Sequence, residues 1–238
     1  PTAPSEHDHF YGNQTSYGRL FLPSLLKDYP CCVYLDSDLY VNCCVDELFG
    51  LFDGKNIIYA SGTKTRRQAV EQQLYAAAKL NLDAICFNSG VMAIDLELWR
   101  QANMTDRCNE IARKFSKRLI TADQSILNIA FPSSFRLIDD KFNTLLHPSL
   151  SSKVRRLEER IYHFADSPKP WDPLGKLLSN HHNLWYQVYK QTAIGHVSPM
   201  RYYSWTRSRK TLRRILSASK RQIFSKLKCQ TIESVVDS

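Results

Sequence analysis

Short apolar runs, each closed by a polar residue capable of chemistry, alternate with helix-forming stretches through the middle of the chain. The runs are CCVYLD (31–36), NIIYAS (56–61), AICFNSGVMAID (84–95), FRLID (135–139) and RIYHF (160–164). Their length and their β-branched and aromatic content predict strands. The stretches between them predict helices: a short amphipathic one in VDELFGLF (45–52), a stronger one in TRRQAVEQQLYAAAKL (65–80), and two more over 105–118 and 123–130. YGRLFLPSLL (17–26) predicts another, kinked or divided by Pro23, and residues 1–14 look irregular. AICFNSGVMAIDLELWR (84–100) is expected to run strand, polar turn, strand, helix. Strands alternating with helices predict an α/β fold whose sheet is covered on both faces. In such folds ligands collect beyond the carboxyl ends of strands. Asp36 and Asp38, Asn88 to Gly90, and His163 all stand at such interruptions.

The first interruption, in VYLDSDLYV (33–41), is chemically the most demanding. Asp is a poor strand former, and ionised carboxylates are rarely buried unpaired. In an extended segment Asp36 and Asp38, separated only by Ser37, point to the same side. Two anions so close repel unless a cation lies between them. Oxygen ligands of this kind suit a hard divalent ion, Mg²⁺ or Mn²⁺. The plainer alternative is a solvated turn at a strand end.

The chain has 238 residues, 43% of them hydrophobic and 23% charged, which is the composition of a globular protein able to build its own core. No apolar run reaches the about 20 residues of a membrane-spanning helix. Seven cysteines include the adjacent pairs Cys31–Cys32 and Cys43–Cys44 but no C-x-x-C, and most sit among apolar neighbours. They predict small core residues in a reducing cytoplasm, with neither zinc nor redox chemistry. The net charge of +9 is local: ten of the 32 basic residues lie between Arg201 and Lys228 with no acid among them, leaving 22 basic against 23 acidic residues elsewhere. A near-neutral body (1–200) therefore precedes a basic tail (201–238).

In that tail Leu212, Ile215, Leu216, Ile223, Phe224 and Leu227 recur at three- and four-residue steps, which predicts one apolar helix stripe. Arg213, Arg214, Lys220, Arg221 and Lys226 fill the other faces, and Tyr202, Tyr203 and Trp205 suit an interface. The expectation is a segment, 201–228, that holds the protein on an anionic membrane surface. The alternative is a helix docked on the catalytic body.

Four stretches occur in a telling order: TSYGRLFLPSLLKDYPCCVYLDSDLYV (15–41), FNSGVMAIDLELWR (87–100), TADQSILN (121–128) and HFADSPKPW (163–171). Together they resemble the family-8 retaining glycosyltransferases, the group that includes glycogenin and the bacterial lipooligosaccharide galactosyltransferases. The resemblance implies a Rossmann-like GT-A sheet and transfer of a hexose from a nucleotide-diphospho-sugar, usually a UDP-sugar, with retention at the anomeric carbon. Mn²⁺ or Mg²⁺ would be held by Asp36, Asp38 and His163. Lys169 would contact the diphosphate, Arg19 would reach the donor, and Asn88 would meet its sugar hydroxyls. Asp123 would take another hydroxyl, with Gln124 near the anomeric carbon opposite the leaving group. An amide is a weak nucleophile, so a front-face route fits better, the diphosphate helping to deprotonate the acceptor. Taken alone, TADQ is a helix start capped by Thr121 or Asp123, and Trp99 and Trp171 are packing residues, the alternative being an aromatic beside the site that stacks on the acceptor sugar.

Two departures accompany the resemblance. Asp166 stands where family members often carry Gly beside the phosphate. The family also places a first strand and an acidic loop for uracil and ribose well before the D-x-D, whereas 35 residues precede Asp36 here and none resembles that element. The expectation is the carboxyl-terminal portion of a glycosyltransferase. It would act in the cytoplasm, or peripherally on the inner face of the plasma membrane, on a glycan or lipid-linked saccharide and not on nucleic acid. Other classes stay open to the residues alone: a noncatalytic remnant, a nucleotidyltransferase, or a nucleic-acid-binding protein acting through its basic tail.

Overall fold

The computed structural model describes residues 15–132, 134–147, 157–165, 169–172 and 181–192. The irregular start (1–14), Asp166 and the basic tail lie outside them. Two compact units divide these residues, the first running to Thr144 and including Glu159–Ile161, the second comprising the remainder. The strands are β1 (Cys31–Leu35), β2 (Leu39–Val41), β3 (Ile58–Thr65), β4 (Ile85–Asp95), β5 (Phe135–Ile138), β6 (Thr144–Leu145) and β7 (Ile161–His163). The helices are α1 (Leu22–Leu25), α2 (Gln72–Ala77), α3 (Leu96–Gln101), α4 (Met104–Phe115), α5 (Asp123–Ala130) and α6 (His182–Gln191).

The first unit is built on a four-stranded sheet in the order β1-β4-β3-β5. The long central β4 is antiparallel to both its neighbours, with Cys31 opposite Asp95 and Ile58 opposite Ile94. β5 joins β3 in parallel, Ile58 opposite Phe135, so the sheet is mixed. Alternation along β3 and β4 sends successive side chains to opposite faces. Ile58, Ala60, Met92 and Ile94 pack with Leu96, Trp99, Cys108, Ile126, Leu127 and Phe131. Tyr59, Val91 and Ala93 face the other way, onto Leu48, Phe142 and Ile161. Both faces are covered, as the strand–helix alternation predicts. A second, three-stranded sheet has the order β2-β7-β6.

Three local expectations need correction. The helix predicted over 65–80 survives only as α2. Thr65 ends β3, and the next amides extend that strand's pairing: Arg66 N donates to Ala84 O (2.9 Å) and Arg67 N to Leu82 O (2.8 Å). The Arg66 guanidinium is buried and donates to the carbonyls of Asn81 and Pro132. These tertiary bonds outweigh helix propensities worth a few tenths of a kcal/mol per residue. The polar turn predicted at Asn88–Gly90 takes the form of a bulge within β4: Ala60 lies opposite Met92 and Gly62 opposite Phe87, so the extra residues between them, Asn88 to Val91, stand on β4. Residues 17–26 form a 3₁₀ segment (Thr15–Phe21) followed by α1, whose first turn takes Pro23 without losing a hydrogen bond.

In the second unit an aromatic series gives the described residues their packing. Phe164 meets Trp171 edge-on (5.8 Å between centroids), Trp171 lies 5.9 Å from Trp185, and Trp185 stacks on Tyr189 of α6 at 5.1 Å. Trp171 and Trp99 are thus packing residues; Trp99 is buried against Phe131 and gives its indole N–H to Thr105.

Candidate active site

Asp36, Ser37 and Asp38 form the turn between β1 and β2. They are not the extended segment that the alternation suggests, because the chain leaves β1 immediately after Asp36 N donates to Gly90 O (2.8 Å), one step beyond the β1–β4 ladder. The turn nevertheless brings ligand atoms of the two carboxylates within 4.8 Å of each other. Both side-chain bonds received by Asp36 fall on Oδ1, from Arg19 Nη2 and from the Tyr34 hydroxyl, each at 2.8 Å. Oδ2 is left as a ligand atom. Two carboxylates, one with an oxygen to spare, suit a hard divalent cation.

Arg19 links this turn to α5. It comes from the 3₁₀ segment before α1 and is almost wholly buried. Nη1 donates to Ser89 O (2.6 Å), Nη2 binds Asp36, and the guanidinium carbon lies 4.3 Å from the centre of the Tyr34 ring. Nε lies 3.0 Å from Asp123 Oδ2 without the alignment of a hydrogen bond, so that contact is an ion pair only. Ser89 Oγ donates to the same Asp123 oxygen at 3.2 Å. One cation thus serves two carboxylates. Burial pushes the Asp123 carboxyl up to about 6, against the pull of Arg19, and the Asp36 charge adds to the rise. The Tyr34 hydroxyl is likewise held protonated by burial.

Asn88 and Gln124 meet directly. Asn88 Nδ2 donates to Gln124 Oε1 (2.9 Å), which also accepts Ser89 N at 3.2 Å. Asn88 Oδ1 accepts Gly90 N (2.9 Å) and Asn143 Nδ2 (2.8 Å). A polar triplet inside a buried strand is tolerated because side chains from α5 and from Asn143 satisfy it. Asn128 completes the arrangement, and residue-by-residue reading missed its role. Its amide is fully buried, accepts Phe87 N and donates to Phe87 O, both at 2.9 Å, as a neighbouring strand would. It anchors α5 to β4 one turn after Gln124. The signal available was its place at the end of TADQSILN, an amide on an otherwise apolar helix face.

The start of α5 is not capped by its own side chains. Ala122 occupies the cap position at φ 49° and ψ −115°, and neither Thr121 nor Asp123 makes the expected capping bond. In the second unit His163 is buried at the end of β7, its carbonyl accepting the amides of Leu146 and Ala165. Lys169 donates from Nζ to Phe164 O and from its amide to Asp172. Arg19, Asp36, Asp38, Asn88, Asp123 and Gln124 belong to the first unit; His163 and Lys169 belong to the second.

Comparison with known proteins follows the same outline. The sequence profile described as Glycosyl transferase family 8 matches residues 5–175. Glycosyltransferase GlyF of Streptococcus pneumoniae serotype 4 is 27% identical over 184 residues, which cover 75% of this chain and 42% of that protein. The lipopolysaccharide 1,3-galactosyltransferase of Salmonella typhimurium is 27% identical over 150 residues, 60% of this chain and 44% of that one. The chain thus spans less than half the length of either relative. Among solved structures, the galactosyltransferase LgtC in complex with donor and acceptor sugar analogs superposes with a TM-score of 0.56 at 23% identity, covering 68% of this chain and 62% of that one. The bifunctional WbbM reaches 0.60 at 17% identity, covering 79% and 37%. At these identities the likeness is one of fold.

Proposed function

The chain belongs to glycosyltransferase family 8, and from that premise we propose that it moves a hexose from a UDP-sugar to a saccharide or lipid-linked saccharide, retaining the anomeric configuration. The observation that carries this function is the meeting, within the first unit, of the Asp36–Asp38 turn, the Asn88–Gly90 segment and the start of α5 through Arg19 and Gln124. These are the residues that the family resemblance places about the nucleotide-sugar.

In the proposed site Asp36, Asp38 and His163 hold Mn²⁺ or Mg²⁺. Two carboxylates and an imidazole fit such an ion and leave positions for phosphate oxygens. The bound ion supplies Lewis-acid neutralisation of the departing diphosphate. Lys169 adds a point charge to the same group once it exchanges its carbonyl partner for phosphate. Asn88 has one Nδ2 hydrogen left to give a sugar hydroxyl, since its Oδ1 already accepts two bonds. Asp123 orients the sugar through Oδ1, since Oδ2 is engaged with Ser89 and Arg19. Both terminal nitrogens of Arg19 are committed. We therefore assign it the task of holding Asp36 and Asp123 in place rather than that of reaching outward to the donor. Gln124 Oε1 already accepts two hydrogen bonds, which disfavours it as a nucleophile and favours a front-face route in which the diphosphate helps remove the acceptor proton.

UDP-hexose hydrolysis with and without Mn²⁺ tests the proposal. Asp36→Ala and Asp38→Ala should each lower the metal-dependent rate by about a hundredfold or more, exceeding the usual effect of outer-shell partners. Free hexose released as the retained anomer is the expected product. An inverted anomer, pyrophosphate release or undiminished rates in the variants would overturn the assignment.

A further inference from the structure

Two buried charges lie outside the site, on the segment between β3 and α2. Arg66 is buried and donates from Nη1 to Asn81 O (3.0 Å) and from Nη2 to Pro132 O (2.6 Å), two residues past the end of α5. Glu71 is buried too, and it reaches the other end of α5. Its Oε1 accepts Ile120 N (2.7 Å), Thr121 N (3.0 Å) and the Ser125 hydroxyl, while Oε2 accepts the Thr121 hydroxyl (2.8 Å). A negative charge thus stands before the helix N-terminus and a positive one beyond its C-terminus, the arrangement the helix dipole favours.

Between Glu71 and the start of α5 sits Ala122 at φ 49°. A residue with a β-carbon holds that backbone region only where its surroundings impose it. Thr121 and Ser125, on either side, are both bonded to Glu71, and the next residues along the chain are Asp123 and Gln124.

We propose that Arg66 and Glu71 form a bracket on the two ends of α5, and that Glu71 is a positioning residue for Asp123 and Gln124. Glu71 acts by enforcing the Ala122 turn. Without it the turn relaxes toward negative φ, and the side chains of Asp123 and Gln124 swing away from Arg19 and Asn88. The catalytic part of this proposal rests on the function proposed above; the mechanical part does not.

The test uses the isosteric Glu71→Gln variant of the full chain. For UDP-hexose hydrolysis with Mn²⁺, kcat should fall about tenfold, the usual size for an outer-shell partner, while KM changes less than about twofold because the diphosphate contacts lie elsewhere. In a Gln124→Ala background the same change should cost clearly less than it does alone, since part of its effect runs through that residue and the rest through Asp123. Adding Ala122→Gly to Glu71→Gln should restore at least about a third of the lost rate, because glycine adopts positive φ freely. Additive losses, a rise in KM alone, or absence of rescue would overturn the positioning role. Amide hydrogen exchange reads the bracket without catalysis. Glu71→Gln should speed exchange at 120–125 and at Phe87, leaving Ile58–Ala60 unchanged, and unaltered exchange at 120–125 would overturn the bracket itself. If the unmodified chain hydrolyses no UDP-hexose, the transferase function fails and the exchange measurement still decides the bracket.

Discussion

Arg19 is the residue on which the candidate site turns, because one buried guanidinium answers two carboxylates and a backbone carbonyl. Removing it leaves Asp123 buried without a counter-charge. Arg19→Ala should therefore destabilise the chain by about 3 kcal/mol or more, the usual cost of breaking a buried pair from one side, as read by urea unfolding. Arg19→Lys should recover only part of that, since an ammonium cannot reach both acids with a planar fork. Asp123 has its own signature. Its carboxyl is held at about 6 in the folded state against an ordinary 3.8. The folded form therefore binds that proton more tightly than the unfolded chain does. Each tenfold difference in proton affinity is worth about 1.4 kcal/mol, so the resulting penalty is about 3 kcal/mol. It is fully present above pH 6, fades as pH falls through 6 and is gone below about 4. Asp123→Asn should accordingly gain Tm relative to the parent at pH 7.5 and lose about two thirds of that advantage by pH 4.5. A difference independent of pH would show that Arg19 keeps Asp123 ionised throughout.

At the scale of elements, β4 and α5 form one functional piece. β4 tolerates Asn88 and Ser89 in its interior only because Gln124 and Asn128 of α5 supply the hydrogen bonds. Asn128→Ala leaves the amide and carbonyl of Phe87 without their partner. It should cost about 2–3 kcal/mol, the desolvation penalty of buried unpaired groups, measured by urea unfolding with the slope unchanged. Asn128→Leu, similar in size, should do no better, which separates the hydrogen bonds from the packing volume. Much of this piece was legible beforehand: α5 spans the predicted 123–130, and β4 spans one long apolar run. That the strand continues through Asn88–Gly90 as a bulge was not, because the partners that make a polar strand interior acceptable are 35 to 55 residues away in the chain.

For the whole molecule, the described residues contain no helix long and apolar enough to cross a membrane. We propose that residues 201–228 bind anionic lipid, each basic residue near the surface contributing about 1 kcal/mol before salt screening. Co-sedimentation with phosphatidylserine vesicles should be strong at low salt, weaken as salt rises, and vanish on deletion of 201–238. Equal binding to neutral phosphatidylcholine vesicles, or no loss on deletion, would favour a tail docked on the protein body instead.

Patterning that a short window can hold was settled by the sequence itself. The strand–helix alternation, the two-sided burial of β3 and β4 and the order of the four motifs follow from local periodicity and residue chemistry, and the family follows from the motifs. Tertiary structure decided what depends on distant partners. Residues 65–71 left the predicted helix because Arg66 and Glu71 found better hydrogen bonds at Pro132 and at 120–125 than a helix offers. Asp36 and Asp38 came together in a turn rather than on a strand because β1 ends where its partner β4 delivers Gly90 O. Arg19, which from sequence alone is one face of a helix, became the shared counter-ion of Asp36 and Asp123. In each instance a buried polar group had to be satisfied, and the group that satisfied it lay too far along the chain for any local pattern to announce.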